Sequence, residues 1–164
     1  MISGRLRNTE YVINLKALRN NIQAQRAVMP AGSRVLAVVK ANAYGHGLVP
    51  VAQAALRAGA TGMCVAILDE ALELRDSGVD AITLVLGITP VEEANVAAEA
   101  GVSLTVGSLE WLTKYHQFAR QFNWTKPLKV HLAVDTGMGR IGFTNVAEFQ
   151  QAATLLRQYP EFEF

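Results

Sequence analysis

The sequence predicts an α/β fold built on a parallel sheet with helical crossovers. Three observations carry that prediction. Short apolar, β-branched runs alternate with longer helical patterns along the chain. The clearest runs are apolar on both faces, as in strands covered on two sides. The 164 residues, 51% hydrophobic and 18% charged, suffice for one domain with a real core and exclude disorder.

Each element has its local signature, taken here in chain order. Glu10–Ile13 reads as a short strand. Asn14 then caps a helix through Met29, with Leu15, Leu18 and Ile22 at helical spacing, and Pro30, Ala31 and Gly32 end it. Arg34–Val39 is a buried strand, and Gly62–Ile67, Ala81–Leu86, Ser103–Val106 and Leu128–Val134 read the same way. Helical patterns lie between and after them: Leu48–Ala58, Asp69–Ser77, Pro90–Ala100, Ser108–Phe122 and Asn145–Gln158. Asp69 is the expected N-cap of its helix and Gly78 the residue that closes it. Pro90 sits where a first-turn proline belongs, and Ser108 caps the helix that carries Glu110 and Trp111 in its first turn. Glu161–Phe164 alternates as a strand should.

Strand starts at Arg34, Gly62, Ala81, Ser103 and Leu128 are spaced by 28, 19, 22 and 25 residues. Eight such units give about the 250 residues of a (β/α)8 TIM-type barrel. The present chain reaches strand six and would leave such a barrel with free edges and an unfilled interior. The pattern therefore leaves two architectures open, a doubly wound open sheet and the N-terminal part of a barrel.

Composition excludes several roles. A net charge of +1 gives no field for nucleic acid or an anionic membrane surface. The longest apolar runs are far short of the roughly 20 residues of a membrane span. One cysteine, Cys64, rules out an internal disulfide framework and fits a reducing compartment. Met1–Arg7 carries two arginines with no apolar stretch behind them, unlike a secretory signal.

Two segments carry chemistry. In Val38-Val39-Lys40-Ala41-Asn42-Ala43-Tyr44-Gly45-His46-Gly47, a lysine closes an apolar strand at the rim where α/β folds place their sites. An unprotonated amine there attacks a carbonyl to form a Schiff base. Tyr44 offers a hydroxyl suited to a phosphate oxygen or a proton relay, and Gly45 and Gly47 permit tight turns. The plain alternative is a snorkelling lysine ahead of a glycine-rich loop.

The second segment, Asp135-Thr136-Gly137-Met138-Gly139-Arg140-Ile141-Gly142-Phe143, comes after the fifth strand and so shares the rim with Lys40. Its glycines suggest a backbone shaped to hold a guanidinium that grips a carboxylate or phosphate. A turn with a surface arginine explains it equally well. Its G-x-G-x-x-G spacing is a lone match with Arg140 inside it, so it does not read as a dinucleotide fingerprint. His46, His116 and His131 lack ligand spacing for zinc. Cys64 reads as a small core residue, and Trp111, Tyr115 and Phe118 as core at helical spacing.

Together the two segments are recognisable. Residues 40–47 resemble the pyridoxal-phosphate attachment signature of alanine racemases, and residues 135–140 resemble the arginine loop of that family. The likeness runs over nearly the whole chain, including Tyr11–Leu15, Gly59–Ala60, Asp69–Ala71 and Gly87. It implies that residues 1–164 are the N-terminal part of a cofactor-binding barrel, about five to six βα units of eight. The remaining strands and a C-terminal β domain would lie outside this segment.

The resemblance also implies an activity. The whole cytoplasmic homodimer would be an isomerase interconverting L- and D-alanine, supplying D-alanine for peptidoglycan. By match, Lys40 would hold the cofactor and act as base on one face of the substrate, and Tyr44 would bind the phosphate. Arg140 would sit near the cofactor's phenolic oxygen and the substrate carboxylate, and Val38 and Leu86 would line the pocket. Many family members carry a lysine seven positions before the arginine; here that position is Ala133, so the support of Arg140 must come from elsewhere. The second catalytic tyrosine and the arginine for the cofactor's ring nitrogen would lie beyond residue 164. The segment by itself is thus expected to be inactive. Two other readings stand beside this one: a cofactor-binding fragment without turnover, and a racemase for serine or a broader range of amino acids.

Overall fold

The computed structural model describes residues 10–124 and 126–164; the Met1–Arg7 stretch lies outside them. The chain runs α1 (Leu15–Ala27), β1 (Leu36–Val38), α2 (Lys40–Tyr44), α3 (Leu48–Arg57), β2 (Gly62–Val65) and α4 (Leu68–Asp76). It continues with β3 (Ile82–Val85), a 3-10 turn (Val91–Glu93), α5 (Ala94–Glu99), β4 (Ser103–Val106) and α6 (Leu109–Gln121). β5 (Leu128–Leu132), α7 (Val146–Gln158) and β6 (Phe162–Glu163) complete it.

The six strands form one sheet in the order β1-β2-β3-β4-β5-β6, each paired parallel to the next. This order decides between the two architectures. A doubly wound sheet reverses direction at a switch point. A sequential order with right-handed crossovers advances one way and keeps its helices on one face. The chain is the N-terminal arc of a TIM-type barrel.

Burial shows which face the helices cover. Val39, Met63, Val65, Val85, Leu104, Val106 and Leu128 are fully buried. They pack with small residues of the helices, Ala52, Ala55, Ala71, Ala97 and Ala152 among them. Small side chains let helix and sheet approach closely. On the opposite face, the register aligns Val38 with Cys64 and Leu84, and Thr105 with His131. Val38 is 43% exposed and Ile82 42% exposed, while His131, Lys129 and Glu163 are also exposed there. This is the face that further strands of a barrel cover.

Several local expectations need correction. Glu10–Ile13 forms no strand: among the described residues β1 pairs only with β2, and Tyr11 and Val12 are exposed. The first helix ends at Ala27, two residues before Met29. Asp69 is not the N-cap. The helix starts one residue earlier, at Leu68, with Ile67 at the cap position. The Glu70 carboxylate reaches back instead and accepts the Ala66 N–H (2.7 Å) and the Ile67 N–H (3.4 Å). Pro90 caps a 3-10 turn rather than opening an α-helix, and the α-helical part spans only Ala94–Glu99. Asn14, Ser108 and Asn145 each accept a backbone N–H from the first turn of their helix, as N-caps do. Gly78 closes α4 at φ +75°.

Candidate functional site

In a parallel sheet all strand C-termini share one rim, so Lys40 after β1, Leu86 after β3 and Arg140 after β5 stand on the same mouth. The backbone on each side of Lys40 is tied down, at Val39 and at Ala41. Val39, fully buried, donates its N–H to the Cys64 carbonyl (2.9 Å) and so extends the ladder one residue past β1. On the other side, Ala41 donates its N–H to Glu70 Oε1 (2.5 Å).

The next residues are not the ordinary glycine-rich loop that their composition suggests. Ala41, Asn42, Ala43 and Tyr44 have φ between 52° and 56°, so α2 is a turn of left-handed helix. For L-residues this conformation costs about 1–2 kcal/mol each, which is why it normally occurs singly. Here it is over-determined. Ala43 N–H donates to Val39 O (2.7 Å), Gly45 N–H to Ala41 O (3.1 Å) and Gly47 N–H to Asn42 O (2.9 Å). Asn42, the residue type most tolerant of this region after glycine, accepts the Leu48 N–H through Oδ1 (2.8 Å) and so caps α3. His46 Nδ1 faces the Ala43 and Tyr44 carbonyls. Strain stored at a site and held by its surroundings is a mark of function.

The turn leaves Tyr44 61% exposed and Lys40 half-buried. Among the described residues neither the Lys40 ammonium nor the Arg140 guanidinium has a hydrogen-bond or ion-pair partner. Val38 and half-buried Leu86 stand at the same rim, and Leu86 N–H donates to Val65 O (2.8 Å).

The Arg140 loop is organised by its own backbone. Asp135 accepts the N–H groups of Gly137 (2.9 Å) and Gly139 (3.0 Å). These donors, Gly139 first, hold the Asp135 carboxyl below the usual carboxylate range. The chain returns so that Phe143 lies beside Val134, with Asp135 N–H donating to Phe143 O (3.0 Å) and Phe143 N–H to Ala133 O (2.8 Å). The base of the loop is tightly closed. A Cβ at Gly142, where φ is +128°, would lie 2.5 Å from the Asp135 nitrogen, and one at Gly107 would lie 2.7 Å from the Gly142 nitrogen. At Ala133, then, the support for the loop is backbone pairing and the Asp135 cage rather than a lysine.

Two residues matter at this rim that the sequence alone gives no role there. Asp135 is legible in retrospect, since an aspartate with glycines at short range after it signals a side chain capping its own turn. Glu70 is not, because its partner Ala41 lies 29 positions away. No group of three or more His, Cys, Asp or Glu side chains that could hold a metal occurs among the described residues. No helix among them is long and apolar enough to cross a membrane.

Comparison with known proteins bears on this geometry. The family described as "Alanine racemase, N-terminal domain" matches residues 13–164. The chain is 66% identical to a protein named alanine racemase from Limosilactobacillus reuteri (strain DSM 20016), over 100% of this chain and 44% of that protein. It is 61% identical to one from Limosilactobacillus fermentum, again over 100% and 44%. Among solved structures, an alanine racemase from E. faecalis superposes with a TM-score of 0.93 at 42% identity, over 99% of this chain and 44% of that chain. A histidine racemase from Leuconostoc mesenteroides superposes with a TM-score of 0.84 at 33% identity, over 90% and 39%. The chain spans less than half the length of the relatives it matches.

Proposed function

The chain belongs to the alanine racemase family, as its N-terminal domain, and from that premise we propose that it is the lysine-bearing part of the barrel of a pyridoxal-phosphate-dependent enzyme that interconverts L- and D-alanine. The observation that carries this reading is the common rim. An exposed tyrosine, and a lysine and an arginine without hydrogen-bond or ion-pair partners among the described residues, follow strands that end on it.

That donor set fits the cofactor. An amine suits an aldehyde, a phenol suits a phosphate oxygen, and a guanidinium suits a phenolic oxygen or a carboxylate. The exposed side chain of Val38 and half-buried Leu86 offer apolar walls for an aromatic ring. When bound, pyridoxal phosphate withdraws electrons from the substrate Cα and makes its proton removable.

The chain's own residues then have distinct tasks. Lys40 Nζ would hold the cofactor's aldehyde end and would take up and return the proton at one face of Cα. Tyr44 Oη would donate to the cofactor's phosphate. Arg140 orients the substrate carboxylate, and its loop arrives already shaped because Asp135 and Gly142 fix the backbone in advance. We assign the second base on the opposite face to the part of the whole protein outside residues 1–164, and take the whole protein to act as a homodimer.

The experiment is racemisation by the full-length protein loaded with cofactor. Wild type is expected to convert either alanine enantiomer, and Lys40→Ala to lose about 10³-fold or more in kcat. Undiminished turnover by Lys40→Ala would refute the assignment. The histidine racemase neighbour raises a second reading, a different amino acid as substrate. The higher identity to proteins named alanine racemase favours alanine. Alanine is therefore expected to give the highest kcat/KM in a panel with serine and histidine.

A further inference from the structure

We infer that Glu70 is a positioning residue for Lys40. The inference rests on the reading of Lys40 as the lysine that bears the cofactor. One carboxylate spans two structures: Oε1 accepts the Ala41 N–H at 2.5 Å, while Oε2 accepts the Ala66 N–H at 2.7 Å and the Ile67 N–H at 3.4 Å. The peptide group between Lys40 and Ala41 is thereby fastened to the exit of β2. The peptide before Lys40 is held as well, since its Val39 carbonyl accepts the Ala43 N–H (2.7 Å), and the two bonds bracket the Lys40 Cα.

The bracket matters because a strained turn begins directly after Lys40. A left-handed turn of alanine, asparagine and tyrosine is not self-supporting. It needs an acceptor for the Ala41 N–H at its first residue, and Glu70 supplies one from another element. Charged acceptors make the shorter and stronger hydrogen bonds. Without it, the turn loses its first anchor and the lysine shifts relative to its target. A misplacement of about 1 Å costs about 100-fold in a proton-transfer step.

Glutamine at this position keeps one acceptor oxygen but turns an NH2 group toward a backbone N–H on the other side, so it cannot satisfy both ends. Alanine satisfies neither. The two variants therefore grade the effect, and Glu70→Gln, which keeps the side-chain volume, decides the matter if Glu70→Ala fails to fold.

The experiment uses the full-length protein: wild type, Glu70→Gln, Glu70→Ala and Lys40→Ala. Three readouts are taken: steady-state kinetics with both alanine enantiomers, including α-deuterated substrate; release of pyridoxal phosphate on dialysis; and amide exchange at Ala41 in the cofactor-free protein. The Glu70 variants are expected to lose about 10- to 100-fold in kcat with KM within about twofold. The isotope effect should rise for the one enantiomer whose proton Lys40 removes, cofactor should be released faster, and Ala41 should exchange faster.

A general loss of structure would raise no isotope effect for one enantiomer alone. Wild-type kinetics and cofactor retention in both Glu70 variants, with Lys40→Ala inactive, overturn the role of Glu70 and leave the site reading standing. Wild-type turnover by Lys40→Ala overturns both.

Discussion

Gly142 shows how one residue shapes the candidate site through its backbone alone. Its φ of +128° belongs to glycine, and a Cβ would meet the Asp135 nitrogen at 2.5 Å and the Val134 carbonyl carbon at 2.7 Å. Both neighbours are backbone and cannot swing aside. Gly142→Ala in the full-length protein is expected to cost about 2 kcal/mol of unfolding free energy. The Phe143 amide, which closes the loop, should also exchange faster. Unchanged stability and exchange would contradict the close-packing account. Lys40 and Arg140 were legible as candidates because each sits in a run of residues with joint chemical meaning. Glu70 was not legible in this role. Its contact to Ile67 lies within one turn, but its bond to Ala41 joins positions that only the tertiary fold brings together.

Among the elements, the strands were the most legible, because β-branched apolar runs mark buried parallel strands directly. Their ends were less so: of Arg34–Val39 only Leu36–Val38 is regular strand, with single backbone bonds to β2 and its approach from Val39 and Val35 on either side. The left-handed turn was not legible, since intrinsic preference argues against it and only tertiary anchors overcome that preference. At the far rim a different side chain ties elements together. Arg75 of α4 donates to the carbonyls of Val79 (2.7 Å), Ala81 (3.1 Å), Ala100 (2.9 Å) and Gly101 (3.3 Å) and to the Thr83 hydroxyl (3.0 Å). It staples the entries of β3 and β4. Burial pulls the Arg75 guanidinium below its ordinary value, partly offset by Asp80. Lying opposite the Lys40 rim, the staple belongs to stability rather than to chemistry. Arg75→Met in the full-length protein is expected to lose about 2–3 kcal/mol of stability, with kcat unchanged. Full stability, or lost activity at intact fold, would contradict this assignment.

At the scale of the whole molecule, strand order carries the account. The spacing of strand starts left an open sheet and a barrel arc both standing; the sequential parallel order settled it, and no local pattern encodes that order. The order also explains why residues about 100 positions apart, Lys40 and Arg140, share a mouth. It leaves one sheet face with Val38 and Ile82 exposed, the face further barrel strands would cover. The central claim is that the amine at this mouth holds the cofactor. It is tested most directly by borohydride reduction of the full-length, cofactor-loaded protein and peptide mapping of the product. The account predicts a reduced pyridoxyl adduct on Lys40 in essentially every chain; an adduct on another lysine, or none, would contradict it.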